Sequence, residues 1–457
     1  MAAQGPVTDV ELTSAVELLH QLIPEKELAV YSLDISPATV YTTLVTLWML
    51  TLQRLGGGLS LEAVVKEVLT NHRSILPNNK RVQEGTLSLE SSAFSNARQR
   101  LPLEVARQFA ERVSKSLIEL APCGPGQQRQ YIIDGTTMTL APTSSLRDVY
   151  PPATNQHGET VWPVLMLMVA HELKSGCALV PELGAMYGTN RTSEAQLAAA
   201  IAGRIPRGSL VLADSNFGIF SVAHAMQGTG HDILFRLTKV RFKALFRQAV
   251  ELERTPFGVR YRLRWMPSAK ERKTNPDLPE GACWDVFLHD VEWENGEHLY
   301  LVTTLDVSSA VAAEYYSHRY DVEHDIRDMK VSLGIEKIRA KSVEMVQKEL
   351  LCSIVAYNLV VQLRREAAKV AGVEPRRLSF TSVWTTMQIC LLQQPPCMWA
   401  EWQARYANAV RTAAKHKLHN RPGRSHPRRA HPRRPKSTKF MHQTPTLAKH
   451  EVPEKPK

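Results

Sequence analysis

Four residues in segment 315–330, YYSHRYDVEHDIRDMK, are the best suited to chemistry. Tyr316, Arg319, Glu323 and Lys330 fall at offsets 0, 3, 7 and 14. On a helix of 3.6 residues per turn they share one face. A carboxylate flanked by two fixed cations and a phenol makes a poor core face. It suits a metal ion held beside a phosphate. Two upstream aspartates stand where they would complete such a site. Asp134 follows the apolar run 129–133 and precedes Gly135-Thr136-Thr137, and Asp214 ends the run SLVLAD. Strand ends in α/β sheets present side chains to a shared crevice. Three convergent carboxylates would hold two divalent cations roughly 3.5–4 Å apart. Magnesium suits ligands that are all oxygen. Each part also has a plainer reading. An Asp after a strand is a common turn or N-cap residue. Arg319 and Glu323 alone would be an i,i+4 surface pair of roughly 0.3 kcal/mol.

The elements that would position these residues change character along the chain. Residues 9–120 show helical periodicity: 39–55 is a long apolar helix stopped by Gly56-Gly57-Gly58, and 105–120 is amphipathic. From residue 129 strands alternate with helices, which indicates an α/β sheet. Apolar runs at 129–133, 164–171, 178–183, 210–213 and 232–237 have strand length. Residues 241–300 break that rhythm. Segments 284–293 and 298–304 flank Asn295-Gly296, a hairpin signal, and 270–280 reads as a polar loop. The α/β pattern resumes with a helix from about 311 to 333 and another over 346–365. Residues 378–408 read as helical, and the chain beyond 415 lacks apolar periodicity, which predicts disorder.

Composition bounds the setting. The 457 residues are 44% hydrophobic and 22% charged, enough for a substantial core, and carry a net charge of +11. Residues 411–457 hold 14 Lys and Arg against 2 acidic residues, a net +12 that leaves the rest at −1. A basic groove on the body must therefore come from local clustering. Six cysteines without a Cys-x-x-Cys pair give neither a disulfide framework nor a structural zinc site. The N-terminus lacks a signal pattern and no apolar run has membrane-spanning length. The chain reads as a soluble protein of the bacterial cytosol, without a membrane partner.

The spacing Y-x2-R-x3-E-x6-K of Tyr316, Arg319, Glu323 and Lys330 resembles the signature of DDE transposases of the insertion-sequence-four family. The segments IIDGTTMTL (132–140) and VLADSNFG (211–218) are similar to the family's two aspartate motifs. FSNARQRLP (94–102) and SIVAYNLVVQLRR (353–365) also resemble family segments, so the likeness covers about residues 35–370. It implies an α/β fold with a ribonuclease-H-like core interrupted by a β-rich insertion. It implies an N-terminal helical DNA-binding domain over 1–122 and the core over 123–240 and 301–370. The insertion would be 241–300, followed by a helical region at 371–410 and a disordered basic tail at 411–457.

The same resemblance implies that Asp134, Asp214 and Glu323 are catalytic and hold two Mg²⁺ ions, with Mn²⁺ as a substitute. Tyr316, Arg319, Lys330 and Arg236 would grip the phosphate backbone, as a planar guanidinium and a phenol donor can. Trp293 is a candidate for stacking on an extruded base, with an ordinary cross-strand aromatic as the other reading. Trp265 and Trp284 are weaker candidates. Arg98 and Arg100 are candidates for gripping DNA from a helix, and the tail for binding phosphates without sequence preference. The implied activity is metal-dependent cleavage and strand transfer at transposon inverted repeats. Its partners would be double-stranded DNA, both transposon ends and target, and a second copy in a homodimer on paired ends. Two alternatives are a transposase-derived DNA-binding protein without catalysis and a ribonuclease-H-like nuclease without strand transfer.

Overall fold

A computed structural model describes residues 17–419 except 24, 33–35, 37, 125, 156–157 and 293–295. The fold is mixed α/β, with many helices around one large, mostly antiparallel sheet. Its ten strands are β1 (Gln130–Thr139), β2 (Pro152–Asn155), β3 (Gly158–Glu172), β4 (Glu182–Ala185), β5 (Leu210–Ala213), β6 (Asp232–Arg236), β7 (Val250–Thr255), β8 (Gly258–Trp265), β9 (Trp284–Glu292) and β10 (His298–Thr303). The order is β2-β3-β1-β5-β6-β10-β9-β8-β7, with β4 also on β3. β3 runs antiparallel to β1, and β1, β5 and β6 are mutually parallel. Strands β7 to β9, from segment 241–300, continue the same sheet through β10.

Alternation along the strands divides the sheet's two faces. Tyr131, Ile133, Val211, Ala213, Ile233 and Phe235 point into the main core. Ile132, Leu210, Leu212, Leu234 and Leu301 point the other way, into a smaller cluster with Ala312, Tyr316 and Val322. The main core is built on the helix Val343–Ala371, which ends at Gly372 with a left-handed φ of 62°. It packs against helices Thr43–Leu55, Leu103–Glu119, Phe380–Met387 and Trp399–Ala413. Buried Asn358 joins these layers. Its Oδ1 accepts from Ala178 N at 2.8 Å, and its Nδ2 donates to Ala178 O and Ser114 Oγ, both at 2.9 Å.

Several local expectations need correction. The run 178–183 is not a strand; β4 begins at Glu182, and Ala178 makes only a bridge to His171. The supposed loop 270–280 contains the helix Ala269–Thr274, started by a Ser268–Glu271 capping box. Arg98 does not face solvent. It is buried and ion-paired with Glu349, while Lys348 Nζ donates to the Arg98 and Gln99 carbonyls at 3.1 and 3.2 Å. That corner locks the helix Ser92–Arg100 to the long helix; of the two arginines, Arg100 is the exposed one. Among the described residues no helix is long and apolar enough to cross a membrane. All six cysteines are free thiols. The basic tail beyond residue 419 and Asn295 lie outside the described residues.

Candidate functional site

Strand register assembles the first part of the site. β1 and β5 pair at Ile132↔Leu212, and β5 and β6 at Leu212↔Leu234. Two residues further along each strand stand Asp134, Asp214 and Arg236. A shift of two keeps each on the face of Ile132, Leu212 and Leu234. The three therefore form a row across neighbouring strands, on the face that packs under Ala312, Tyr316 and Val322. Asp134 is not at a strand end, as its sequence suggested. β1 continues to Thr139 because the long β3 pairs with it throughout, Asp134 opposite Val169.

The turn after β5 is held from three sides. Asp214 Oδ1 accepts from Asn216 N at 2.8 Å. Arg241 donates to the Ser215 carbonyl. Gly218 approaches β6 so closely that a Cβ there would lie 2.3 Å from the Arg236 carbonyl oxygen. Glycine is thus required for the Asp214 turn to sit against the Arg236 strand end.

The segment carrying the other residues is not one regular helix. It runs as the helix Ser309–Ser317, a 3₁₀ turn His318–Tyr320, the helix Asp321–Arg327 and a π turn Asp328–Ser332. The tighter and wider turns shift the phase, so the four residues do not form a continuous stripe. Tyr316 is 3% exposed and its hydroxyl has no hydrogen-bond partner among the described residues. Burial pushes its phenol above the usual range, and its charged neighbours are Arg319, Arg236 and Asp214. Arg319 Nη2 lies 2.9 Å from Glu323 Oε1, and its guanidinium stacks 4.5 Å over the Tyr320 ring. Glu323 is otherwise half exposed. Lys330 departs from the expected flanking role. Its Nζ donates to Thr136 Oγ1 at 3.0 Å and Thr137 O at 2.7 Å, and pairs with Glu336 at 3.1 Å. It clamps the π turn to β1, two residues beyond Asp134.

The opposite face of this segment was not singled out in the sequence, although Asp321, Asp325 and Asp328 have i, i+4, i+7 spacing. Arg376 grips buried Asp325 with two bonds of 2.7 and 3.2 Å, lies 3.6 Å from Asp321 and donates to Leu173 O at 2.7 Å. Arg364 lies 3.4 Å from Asp328. These pairs fix the segment against the sheet and the long helix.

Electrostatics centre on Asp134. Its Oδ1 accepts from Gly135 N at 2.8 Å. Burial, then the Asp214 charge, pushes its carboxyl up to about 6, with Glu194 adding and Arg319 opposing. Among the described residues no three His, Cys, Asp or Glu side chains are grouped closely enough to hold a metal ion. Asp134 and Asp214 face each other, whereas the Glu323 carboxylate is turned to Arg319. Trp293 lies outside the described residues. Trp265 and Trp284 are packing residues: they pair across β8 and β9, Trp265 lies edge-on to Phe220 and Trp284 Nε1 donates to His224 at 3.1 Å.

Residues 125–359, more than half of the chain, match the family model described as "Transposase DDE domain". The chain is 24% identical over 301 residues to the transposase InsG of insertion sequence element IS4 from Escherichia coli K12. That alignment takes in 64% of this chain and 65% of the relative, just under two thirds of the relative's length. A solved piggyBac transposase synaptic complex with hairpin DNA aligns over 90% of this chain and 87% of its own, at 11% identity and a TM-score of 0.40. The matched segment contains every residue of the row and of the helical segment above it, and the chain belongs to the DDE transposases, in the insertion-sequence-four family.

Proposed function

We propose that this protein cleaves DNA at transposon inverted repeats and joins the freed ends to a target, by metal-dependent in-line phosphoryl transfer. The observation that carries this is the row Asp134–Asp214–Arg236, facing Tyr316 and Arg319 (two carboxylates and two guanidiniums around an unpartnered phenol). The strand order β4-β3-β1-β5-β6, antiparallel then parallel, supports a ribonuclease-H-like reading of the core, with β7 to β9 as its insertion. The donor set fits a divalent cation: Asp134 and Asp214 repel one another, and an ion between them would relieve that repulsion. Two Mg²⁺ ions, or Mn²⁺ in their place, would be held by Asp134, Asp214 and Glu323 and would neutralise charge on the attacked phosphate. Glu323 reaches that pair only by leaving Arg319.

The chain's own residues do the rest. Arg236 and Arg319 bind phosphate oxygens, and the Tyr316 hydroxyl donates to one. Lys330 holds β1 to the helical segment, keeping Asp134 in register. In the first step the oxygen of water bonds to phosphorus as the P–O3′ bond breaks, one water proton passes to solvent, and the leaving 3′-oxygen takes a proton from solvent to become a hydroxyl. In the second that hydroxyl attacks a target phosphodiester, and a new 3′-oxygen leaves. A homodimer on paired DNA ends would bring two such sites together.

The test is a plasmid carrying the flanking inverted repeats, incubated with the full-length protein and Mg²⁺ or Mn²⁺. Nicking at the ends is expected. Glu323→Gln should abolish cutting and leave end binding intact. Cutting that survives in Glu323→Gln would refute the assignment of Glu323. Cutting without joining would favour the nuclease alternative, and binding without cutting the inactive one.

A further inference from the structure

The helix Glu194–Ile201 starts beside β1, and its first residue has no local task. The start is capped by its neighbours: Gln196 Oε1 accepts from Ser193 N at 2.8 Å, and Ser193 Oγ accepts from Gln196 N at 3.2 Å. Glu194 has no hydrogen bond or ion pair among the described residues. Its carboxylate instead leans over β1. Glu194 Oε1 lies 2.8 Å from the point that a Cβ on Gly135 would occupy, and Cδ 3.2 Å. Gly135 also donates its N–H to Asp134. Asp134 and Glu194 therefore both bear on Gly135, Glu194 from the side where a side chain at 135 would stand. The Glu194 charge is one of those that raise the Asp134 carboxyl. A helix N-terminus tolerates an acid for its dipole alone. That does not account for a carboxylate set against Gly135, next to Asp134.

A second observation places a ligand here. The buried Tyr316 hydroxyl, beside Asp214, Arg236 and Arg319, has no hydrogen-bond partner among the described residues. Unlike the unpartnered Tyr31, Tyr131 and Tyr406 hydroxyls, this one has two guanidiniums and a carboxylate as neighbours, a setting that suits a ligand group. An anionic oxygen suits its two guanidinium neighbours, and a cation is then needed to bring that anion to the aspartates.

We propose that Glu194 is a fourth carboxylate of the centre, a positioning residue that accepts hydrogen bonds from the water shell of a divalent cation beside Asp134, and that residue 135 is glycine to admit it. This rests on the reading of Asp134 as a holder of that cation. Outer-shell placement agrees with the absence, among the described residues, of three ligands in direct range. Outer partners of this kind set affinity as well as orientation.

The test is Mn²⁺ binding to the full-length protein without DNA, by titration calorimetry, on the wild type, Glu194→Gln and Asp134→Asn. Melting temperature in chelator checks each fold; Glu194→Ala replaces Glu194→Gln, and Asp134→Ser replaces Asp134→Asn, where the first variant fails to fold. Glu194→Gln should weaken Mn²⁺ roughly 10-fold with its chelator melt unchanged, and Asp134→Asn should weaken it more. Wild-type affinity in Glu194→Gln, with binding lost in Asp134→Asn, overturns the role of Glu194 alone. Wild-type affinity in both overturns the cation reading of Asp134 as well. A lower chelator melt with unchanged Mn²⁺ affinity assigns Glu194 to the helix dipole and overturns the proposal.

Discussion

At the scale of single residues, the site is costly to the protein that carries it. Tyr316 buries a hydroxyl without a partner, and Asp134 holds a carboxyl that burial and Asp214 make hard to ionise. Neither is explained by folding, since an unsatisfied buried polar atom destabilises by roughly 1–3 kcal/mol. Both are explained if DNA and a cation complete them. Tyr316→Phe removes the orphaned hydroxyl and keeps the ring in its cluster. It should therefore raise the stability of the DNA-free protein by about 1 kcal/mol, seen as a higher denaturation midpoint. The same change should weaken assembly on paired transposon ends in a gel-shift titration. A destabilised variant would mean that the hydroxyl already has a partner. The chemistry of Tyr316, Arg319, Glu323 and Lys330 was legible from their spacing, but their arrangement was not. Helical phase assumes an uninterrupted α-helix. A 3₁₀ turn at His318–Tyr320 and a π turn at Asp328–Ser332 intervene, and Lys330 goes to β1.

At the scale of elements, the segment that carries Tyr316, Arg319 and Glu323 is held from behind. Sequence periodicity located the strands bearing Asp134 and Asp214 and the helix bearing Glu323, because each has a short-range apolar pattern. It did not reveal why they face one another. That depends on the register of β1, β5 and β6, and register between strands far apart in the chain leaves no local trace. The same holds for the Asp325–Arg376 and Asp328–Arg364 pairs. The three aspartates could be read as a stripe, but their partners lie beyond the next turn of the fold. Asp325 is fully buried, and Arg376 and His171 keep its carboxyl below the usual range despite that burial. Asp325→Asn leaves Arg376 with only the more exposed Asp321 as counter-charge and should cost about 3 kcal/mol of stability. Hydrogen exchange should show loss of protection concentrated in residues 321–332. Even loss across the whole sheet would contradict the local anchoring described here.

At the scale of the whole molecule, one sheet runs from β2 to β7, so the segment read as an insertion is mechanically part of the core. The change of rhythm at residue 241 was visible in the sequence. That β10 would join β6 and make one sheet was not, since hairpin signals say nothing of which edge a hairpin meets. His289, on β9, stands at this junction. It is fully buried, and its Nδ1 lies 3.0 Å from Ser309 Oγ at the start of the helix leading to Tyr316. Burial, with Arg260 nearby, pushes its pKa down to about 4. An unfolded histidine titrates near 6.5. Between these values the unfolded chain binds more protons than the folded one, so stability is complete above pH ~6.5 and is lost as the pH falls toward ~4. The full loss is roughly 3 kcal/mol. Urea midpoints at pH 7.5 and 4.5 should show this loss in the wild type and a smaller one in His289→Gln. An equal loss in both would assign the acid sensitivity to other groups, with buried His171 the first to test, because its pKa is also lowered by burial. If His289 does carry the loss, acid should loosen β9 and the start of the Ser309–Ser317 helix together. Cutting activity would then decline with fold stability, while Asp134 and Asp214 remain in register on β1 and β5.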